Sequence, residues 1–207
     1  MSNTTSPFGL GAEYENKSDV KSIMIVGVGG QGTLLASRLL GNVIQQNGFD
    51  VKVSEVHGMS QRGGSVVTYV KFGSEVYSPV IEKGEADTIL AFETLEAARY
   101  LPYLKKGGKL IVNTQQIDPM PVITGAASYP EDLIGKLKAT GADVIDFDAF
   151  SVAEEAGSVK AVNVVLIGKL AKNSQFPKEQ WEKAIVETVP EKFRELNLKA
   201  FELSYNQ

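Results

Sequence analysis

Cysteine is absent from the 207 residues. That one absence excludes disulfides, thiolate-bound zinc, iron–sulfur clusters ligated by this chain and a cysteine nucleophile. Histidine is nearly absent too: His57 is the only one, which argues against a histidine metal site built by this chain alone. Long apolar runs are missing, and none reaches the ~20 residues needed to cross a bilayer. The start, MSNTTSPFGLGAEYENKSDVKS, is polar and lacks the basic flank and apolar core of a secretory signal. An excess of positive charge is missing as well. The formal net charge is -4, so neither nucleic acid nor an anionic membrane surface is an expected partner, and any phosphate-binding character must be local. Together these features predict a cytoplasmic protein.

With 43% hydrophobic residues, the chain can bury a real core, and one α/β domain is the economical count. Residues 1–20, rich in Ser, Thr, Asn and Gly, read as a flexible arm; residues 21–207 read as the domain. Its opening stretch is IMIVGVGGQG, Ile23 to Gly32. Apolar residues run into Gly27-Val28-Gly29-Gly30-Gln31-Gly32, which satisfies G-x-G-x-x-G and leads directly into a helical pattern. A side chain at Gly27 or Gly29 would obstruct the turn or an approaching anion, and Gly32 permits close helix–strand packing. Free backbone N–H groups and the positive end of the helix dipole would face whatever sits above the turn.

Leu35, Ala36, Leu39, Leu40, Val43 and Ile44 recur at helical spacing as far as Asn47-Gly48. Phe49 to Val56 alternates as a strand, giving a strand–helix–strand unit with a right-handed crossover. The spacing predicts a fold that is Rossmann-like: a mostly parallel sheet flanked by helices, with an added β-hairpin. The hairpin is expected from the β-rich run Ser65 to Phe72, turning at Gly73-Ser74 into Glu75–Ser78. Thr88 to Phe92 reads as a strand. Thr94 reads as the cap of a helix reaching Lys105-Lys106, shortened or kinked at Pro102 and stopped by Gly107-Gly108. Further expectations are strands at Lys109–Val112 and Val144–Phe147, a helix over Glu131–Thr140, and a capping box at Ser151-Val152-Ala153-Glu154. Ala161–Leu170 is apolar almost all round, and its length favours a helix; two amphipathic segments follow Pro177 and Pro190.

A glycine fingerprint alone is weak, because such turns also occur where no ligand binds. An acid near the end of the second strand is what a nicotinamide site adds, and Glu55, 23 residues beyond Gly32, is a tolerable fit. An independent NAD(P)- or nucleotide-binding protein is therefore one reading. The second loop, His57-Gly58-Met59-Ser60-Gln61-Arg62-Gly63-Gly64, is not required by that fingerprint. Arg62 there could offer a guanidinium fork to a phosphate or carboxylate; its plain alternative is a structural ion pair. His57 has no Ser or Cys nucleophile recognisable beside it. Met59 and Trp181 read as packing or interface residues, and Glu93 and Glu96 as acids serving a helix amino end.

The two loops together, GVGGQG and HGMSQRGGSV, followed by SPVIEKGEAD, LAFE, PYLKKGG and VNVVLIG, resemble the gamma-type subunits of 2-oxoacid:ferredoxin oxidoreductases, of pyruvate/ketoisovalerate type, and within them the beta subunit of the indolepyruvate type. The resemblance runs in order over Lys21 to Leu170. It implies a subunit of a heteromeric enzyme, inactive alone, with no catalytic residue or metal ligand of its own. A larger partner subunit would hold thiamine diphosphate and iron–sulfur clusters; the complex would oxidatively decarboxylate a 2-oxoacid, pass electrons to ferredoxin and transfer the acyl group to coenzyme A. The lack of cysteine agrees with that division of labour. Carried onto this chain, Gly27, Gly29, Gly30, Gln31, Gly32, Ser60, Gln61, Arg62, Gly63 and Gly64 would form one face that meets coenzyme A, the partner, or both.

Overall fold

A computed structural model of the chain describes residues 20–57 and 63–207. The expected arm up to residue 19, and Ser60, Gln61 and Arg62 of the second loop, lie outside those residues. Strand β1 (Lys21–Val28) is buried from Ser22 onward. Ile23 and Ile25 face one apolar cluster, Met24 and Val26 another. With both faces covered, the strand reads as an unbroken apolar run instead of alternating. Helix α1 (Thr33–Gln46) follows and stops at Asn47-Gly48, where Gly48 takes a positive φ of 77°.

Strands β2 (Asp50–His57), β3 (Ser65–Gly73), β4 (Ala86–Ala91), β5 (Leu104–Asn113) and β6 (Asp143–Phe147) complete one sheet of order β2-β3-β1-β4-β5-β6. The β1–β4, β4–β5 and β5–β6 pairs are parallel. The helices after α1 are α2 (Thr94–Tyr100), the short α3 (Met120–Ile123), α4 (Leu133–Ala139), α5 (Ala149–Ala156), α6 (Val162–Lys172), α7 (Lys178–Thr188) and α8 (Arg194–Asn206). Residues of α1, α5, α6, α7 and α8 share the cluster on one face of the sheet; α2 and α4 cover the other. Trp181, expected to pack, is fully buried and meets Phe176 edge-on at 6.3 Å. The apolar run after Ala161 is a helix, α6.

Three expectations are corrected. The hairpin does not turn at Gly73-Ser74, and Glu75–Ser78 form no strand. Instead β3 lies inside the sheet, antiparallel to β1 on one side (Ile25 opposite Thr68) and to β2 on the other (Val53 opposite Val70). The hairpin is β2–β3. Val66, Val67, Val70 and Phe72 make β3 apolar on both faces, and all four are buried; a ribbon hung off the sheet would have left them in water. Strands β1 and β2 keep a common direction across the α1 crossover, one strand apart.

The second correction is to the reach of the helix after β4, which Pro102 shortens as expected. The helix after β4 ends at Tyr100, Leu101–Tyr103 makes one 3₁₀ turn, and Lys105-Lys106-Gly107-Gly108 belongs to β5. Proline lacks the N–H needed to continue the helix. Gly108 permits a close strand contact: a Cβ there would lie 2.9 Å from Asp87 O and 3.0 Å from Ala86 O. Third, α5 starts before the expected capping box. Asp148 is its cap, accepting from the N–H groups of Phe150 (3.0 Å) and Ser151 (3.1 Å), while the Ser151 hydroxyl donates to the same carboxylate.

Two glycines on helices respond oppositely to a side chain. Gly168 lies where α6 meets α8, and a Cβ would fall 2.7 Å from Phe201 O; Gly168→Val is expected to cost about 1–3 kcal/mol. Nothing lies within 4 Å of a Cβ at Gly41, so Gly41→Ala stabilises by about 0.5–1 kcal/mol. Urea midpoints of the two variants check both signs. At Asp148, the Ser151 hydroxyl and the capped N–H groups hold the carboxyl below its ordinary pKa. A depressed folded pKa gives stability that is present above the unfolded value, about 3.9, and lost as pH falls below it. Asp148→Ala should therefore cost about 1 kcal/mol at pH 7, and its difference from wild type should shrink as pH is lowered below about 4.

Candidate functional site

Strands β1 and β4 are parallel neighbours, yet the helices that follow them, α1 and α2, pack on opposite faces. Their carboxyl ends therefore flank a topological switch point, the crevice where ligands bind in open α/β sheets. The first glycine turn stands at this point. Gly30 and Gly32 take φ of 104° and 86°, conformations that side chains disfavour. Gly32 is the N-cap of α1, and no side chain caps that end.

Strand β3 brings the second glycine loop to the first. Beyond the last ladder position, Val28 opposite Ser65, the Gly29 N–H donates to Gly64 O at 2.8 Å and the Gly63 N–H to Gly29 O at 3.3 Å. Gly29, Gly63 and Gly64 are thus in direct backbone contact. Gly27 and Gly32 serve close packing. A Cβ at Gly27 would meet Gln31 Oε1 and Phe92 Cβ at 2.9 Å, and one at Gly32 would meet Asn163 Nδ2 at 2.6 Å. Gly30 is open, with nothing within 4 Å.

Gln31, expected to face a ligand, directs its amide inward. Its Oε1 accepts from the Val28 N–H (2.7 Å), and its Nε2 donates to Phe92 O (3.0 Å) and Gln115 Oε1 (3.3 Å). Asn113, at the end of β5, donates to Phe92 O (3.1 Å) and accepts from the Ala149 N–H (3.1 Å). These amides tie the ends of β1, β4 and β5 to the start of α5. Beside them Glu93, 1% exposed, caps α2 by accepting from the Glu96 N–H (2.9 Å), takes the Ile117 N–H (3.2 Å) and is held by the Tyr129 hydroxyl. Burial, then the bond to Glu93, push the Tyr129 hydroxyl well above its ordinary pKa.

The cap of α2 is therefore Glu93, not Thr94, whose hydroxyl meets Tyr129 at 2.6 Å. Glu96, 4% exposed, accepts from the Ser65 hydroxyl and from Arg99 Nε (3.1 Å). It anchors β3 directly after Gly63-Gly64. Glu55, the acid of the dinucleotide reading, is exposed on β2, and β3 separates that strand from β1. The adjacent-strand position that a dinucleotide ribose requires belongs to β3. Among the described residues no cluster of three or more His, Cys, Asp or Glu could hold a metal ion, and no helix is long and apolar enough to cross a membrane. Reading the sequence missed Asn113, Gln115, Tyr129 and Asn163. Asn163 did leave a signal, as the one amide in the apolar run AVNVVLIG.

A Rossmann-like domain whose two glycine loops are joined edge to edge is the class of protein that fold and site define. Residues 22–207 match the pyruvate ferredoxin/flavodoxin oxidoreductase family, and the chain belongs to it. It is 47% identical to the indolepyruvate oxidoreductase subunit IorB of Thermococcus kodakarensis, over 88% of this chain and 93% of that one. It is 46% identical to the IorB subunit of Pyrococcus horikoshii, with the same coverage. In structure it resembles the keto/oxoacid ferredoxin oxidoreductase gamma subunit from Geobacter sulfurreducens, with a TM-score of 0.67 and 25% identity over 90% of this chain and 96% of that one. The chain is thus a subunit of a 2-oxoacid:ferredoxin oxidoreductase.

The pair of buried Glu93 and half-buried Tyr129 gives a test of the site's support. Tyr129→Phe removes a donor to Glu93 and the acceptor of the Leu95 N–H, 3.1 Å away. The variant should lose about 1–3 kcal/mol, read as a lower melting temperature than wild type. An unchanged melt would show that the pair does not hold the 114–132 segment to the sheet.

Proposed function

We propose that this chain is the non-cofactor-bearing subunit of a cytoplasmic, thiamine diphosphate-dependent 2-oxoacid:ferredoxin oxidoreductase acting on indolepyruvate or a related arylpyruvate. The whole complex would release carbon dioxide, pass the electrons to ferredoxin and leave the acyl group on coenzyme A. The observation that carries the substrate choice is the likeness, over nearly the whole chain, to the two archaeal indolepyruvate oxidoreductase subunits. The division of labour is supported by the donor set. A chain with no cysteine cannot supply the thiolates of an iron–sulfur cluster, so the clusters fall to a larger partner subunit, which on this reading also holds the thiamine diphosphate.

This chain's part in the reaction is a surface. The joined loops, Gly27 to Gly32 and Ser60 to Gly64, would meet coenzyme A, the partner subunit, or both. Backbone N–H groups and the Arg62 guanidinium suit an anionic cosubstrate.

Recovering the tagged chain anaerobically from its native cytosol tests this reading. A large cysteine-rich thiamine subunit should accompany it, and the eluate should reduce a dye when supplied with indolepyruvate, faster than with pyruvate or 2-oxoglutarate. An inactive chain recovered alone would overturn the reading. Arg62→Glu should weaken coenzyme A use or assembly by about tenfold; unchanged values for both would remove Arg62 from the site.

A further inference from the structure

On the α2 side of the sheet, the helices stop short of one edge. Helix α2 packs over β1, β4 and β5, and α4 over β6, while β2 and β3 carry α1 on the opposite face. Among the described residues no helix packs across the α2-side face of β2 and β3. That face is not polar. Buried Val67 and half-buried Tyr69 follow each other on it along β3, and Val56, 50% exposed, stands opposite Val67 in the ladder.

Three tyrosines meet there. Tyr69, Tyr100 and Tyr103 pack against the same buried cluster. The rings of Tyr100 and Tyr103 are 5.8 Å apart, and the Tyr100 hydroxyl lies 3.4 Å from the Ser65 hydroxyl at the start of β3. Burial, then the nearness of Tyr103 and Tyr100, push the Tyr69 hydroxyl above its ordinary pKa.

Arg99 is tied to the same place. Its Nε donates to Glu96 Oε1 at 3.1 Å, and Glu96, which is buried, also accepts from the Ser65 hydroxyl. The carboxylate thereby holds the guanidinium from the inner side. The Arg99 side chain is 52% exposed, and its two Nη groups have no acceptor among the described residues. Neighbouring cations on this face are already matched: Lys52 pairs with Asp50 and Lys71 with Glu85. One oriented guanidinium fork is left beside half-buried tyrosines, and tyrosine with arginine is the composition of interface centres.

We propose that the α2-side face of β2 and β3, with Val56, Tyr69, Tyr100, Tyr103 and Arg99, is a docking surface for the larger partner subunit, which brings a carboxylate to the Arg99 fork. The charge argues for a different chain. A contact between two copies needs a self-complementary patch, and this one offers a free cation while Asp50, Glu85 and Glu96 are already paired. Through Ser65, which follows Gly64, the surface adjoins the glycine edge. It rests on the subunit reading only for the identity of the partner.

Assembly of the full chain with the large subunit resolved from the whole enzyme, read as an equilibrium affinity, tests the surface. Val56→Glu places an acid at an exposed strand position; it should keep the wild-type melting temperature and weaken assembly about tenfold or more. Arg99→Gln should weaken assembly to a similar extent, and its remaining affinity should fall less with added salt than that of wild type. Because Arg99→Gln also strips the buried Glu96 of its cation, Val56→Glu keeps the test alive if that variant melts. Wild-type affinity in both variants overturns the surface and leaves the subunit reading standing. A wild-type chain that binds no large subunit overturns both. Self-association of the wild-type chain in sedimentation, abolished by Val56→Glu, overturns the choice of partner and gives the face to a second copy.

Discussion

The structure of this face depends on a backbone pair at the end of one ladder. Strands β1 and β3 are antiparallel neighbours, and their pairing continues past the last ladder position into the loops, where Gly29 and Gly64 share a 2.8 Å hydrogen bond. Two glycine turns whose bonded residues, Gly29 and Gly64, are 35 residues apart in sequence thereby meet at one edge. The cause lies in β3 itself. A strand apolar on both faces has to be covered on both, so it enters the sheet between β2 and β1 and carries its loop with it. As an exposed ribbon, β3 would hold the second loop away from the first.

Beneath that surface lies a floor of amides and buried acids. Gln31, Asn113 and Gln115 link the ends of β1, β4 and β5, and Glu93 and Glu96 are buried with their oxygens hydrogen-bonded. In a medium of low dielectric, satisfied polar groups fix geometry because breaking any one of them is expensive. Gly30 and Gly63, with nothing within 4 Å of a Cβ, can therefore stay open without the turn losing its shape.

Much of this was legible in the residues. The strand, glycine turn and helix start over Ile23–Gly32, the stop at Asn47-Gly48 and the helical identity of α6 follow from local pattern and glycine placement. Pairing was less legible, since alternation reports which face of a strand is buried and not which strand lies beside it; β3 was misread for that reason. The Lys-Lys-Gly-Gly run looked like a helix end because its exposed start hides that Gly108 must pass close to the β4 backbone. Glu93 and Asp148 displaced Thr94 and Ser151 as caps because a carboxylate one to three residues earlier reaches the same N–H groups. Asn113, Gln115 and Tyr129 meet their partners only in the folded chain, and spacing carries no trace of them.

Membership of the pyruvate ferredoxin/flavodoxin oxidoreductase family gives the joined loops a context: they belong to one subunit of a 2-oxoacid:ferredoxin oxidoreductase. We infer that this edge is the working face, and hydrogen–deuterium exchange on the chain alone and in its assembled complex tests the inference. Peptides covering Gly29–Leu34 and Gly63–Val66 should gain protection on assembly or on adding coenzyme A. Protection confined to the β2 edge or to α7 and α8, with those peptides unchanged, would contradict it.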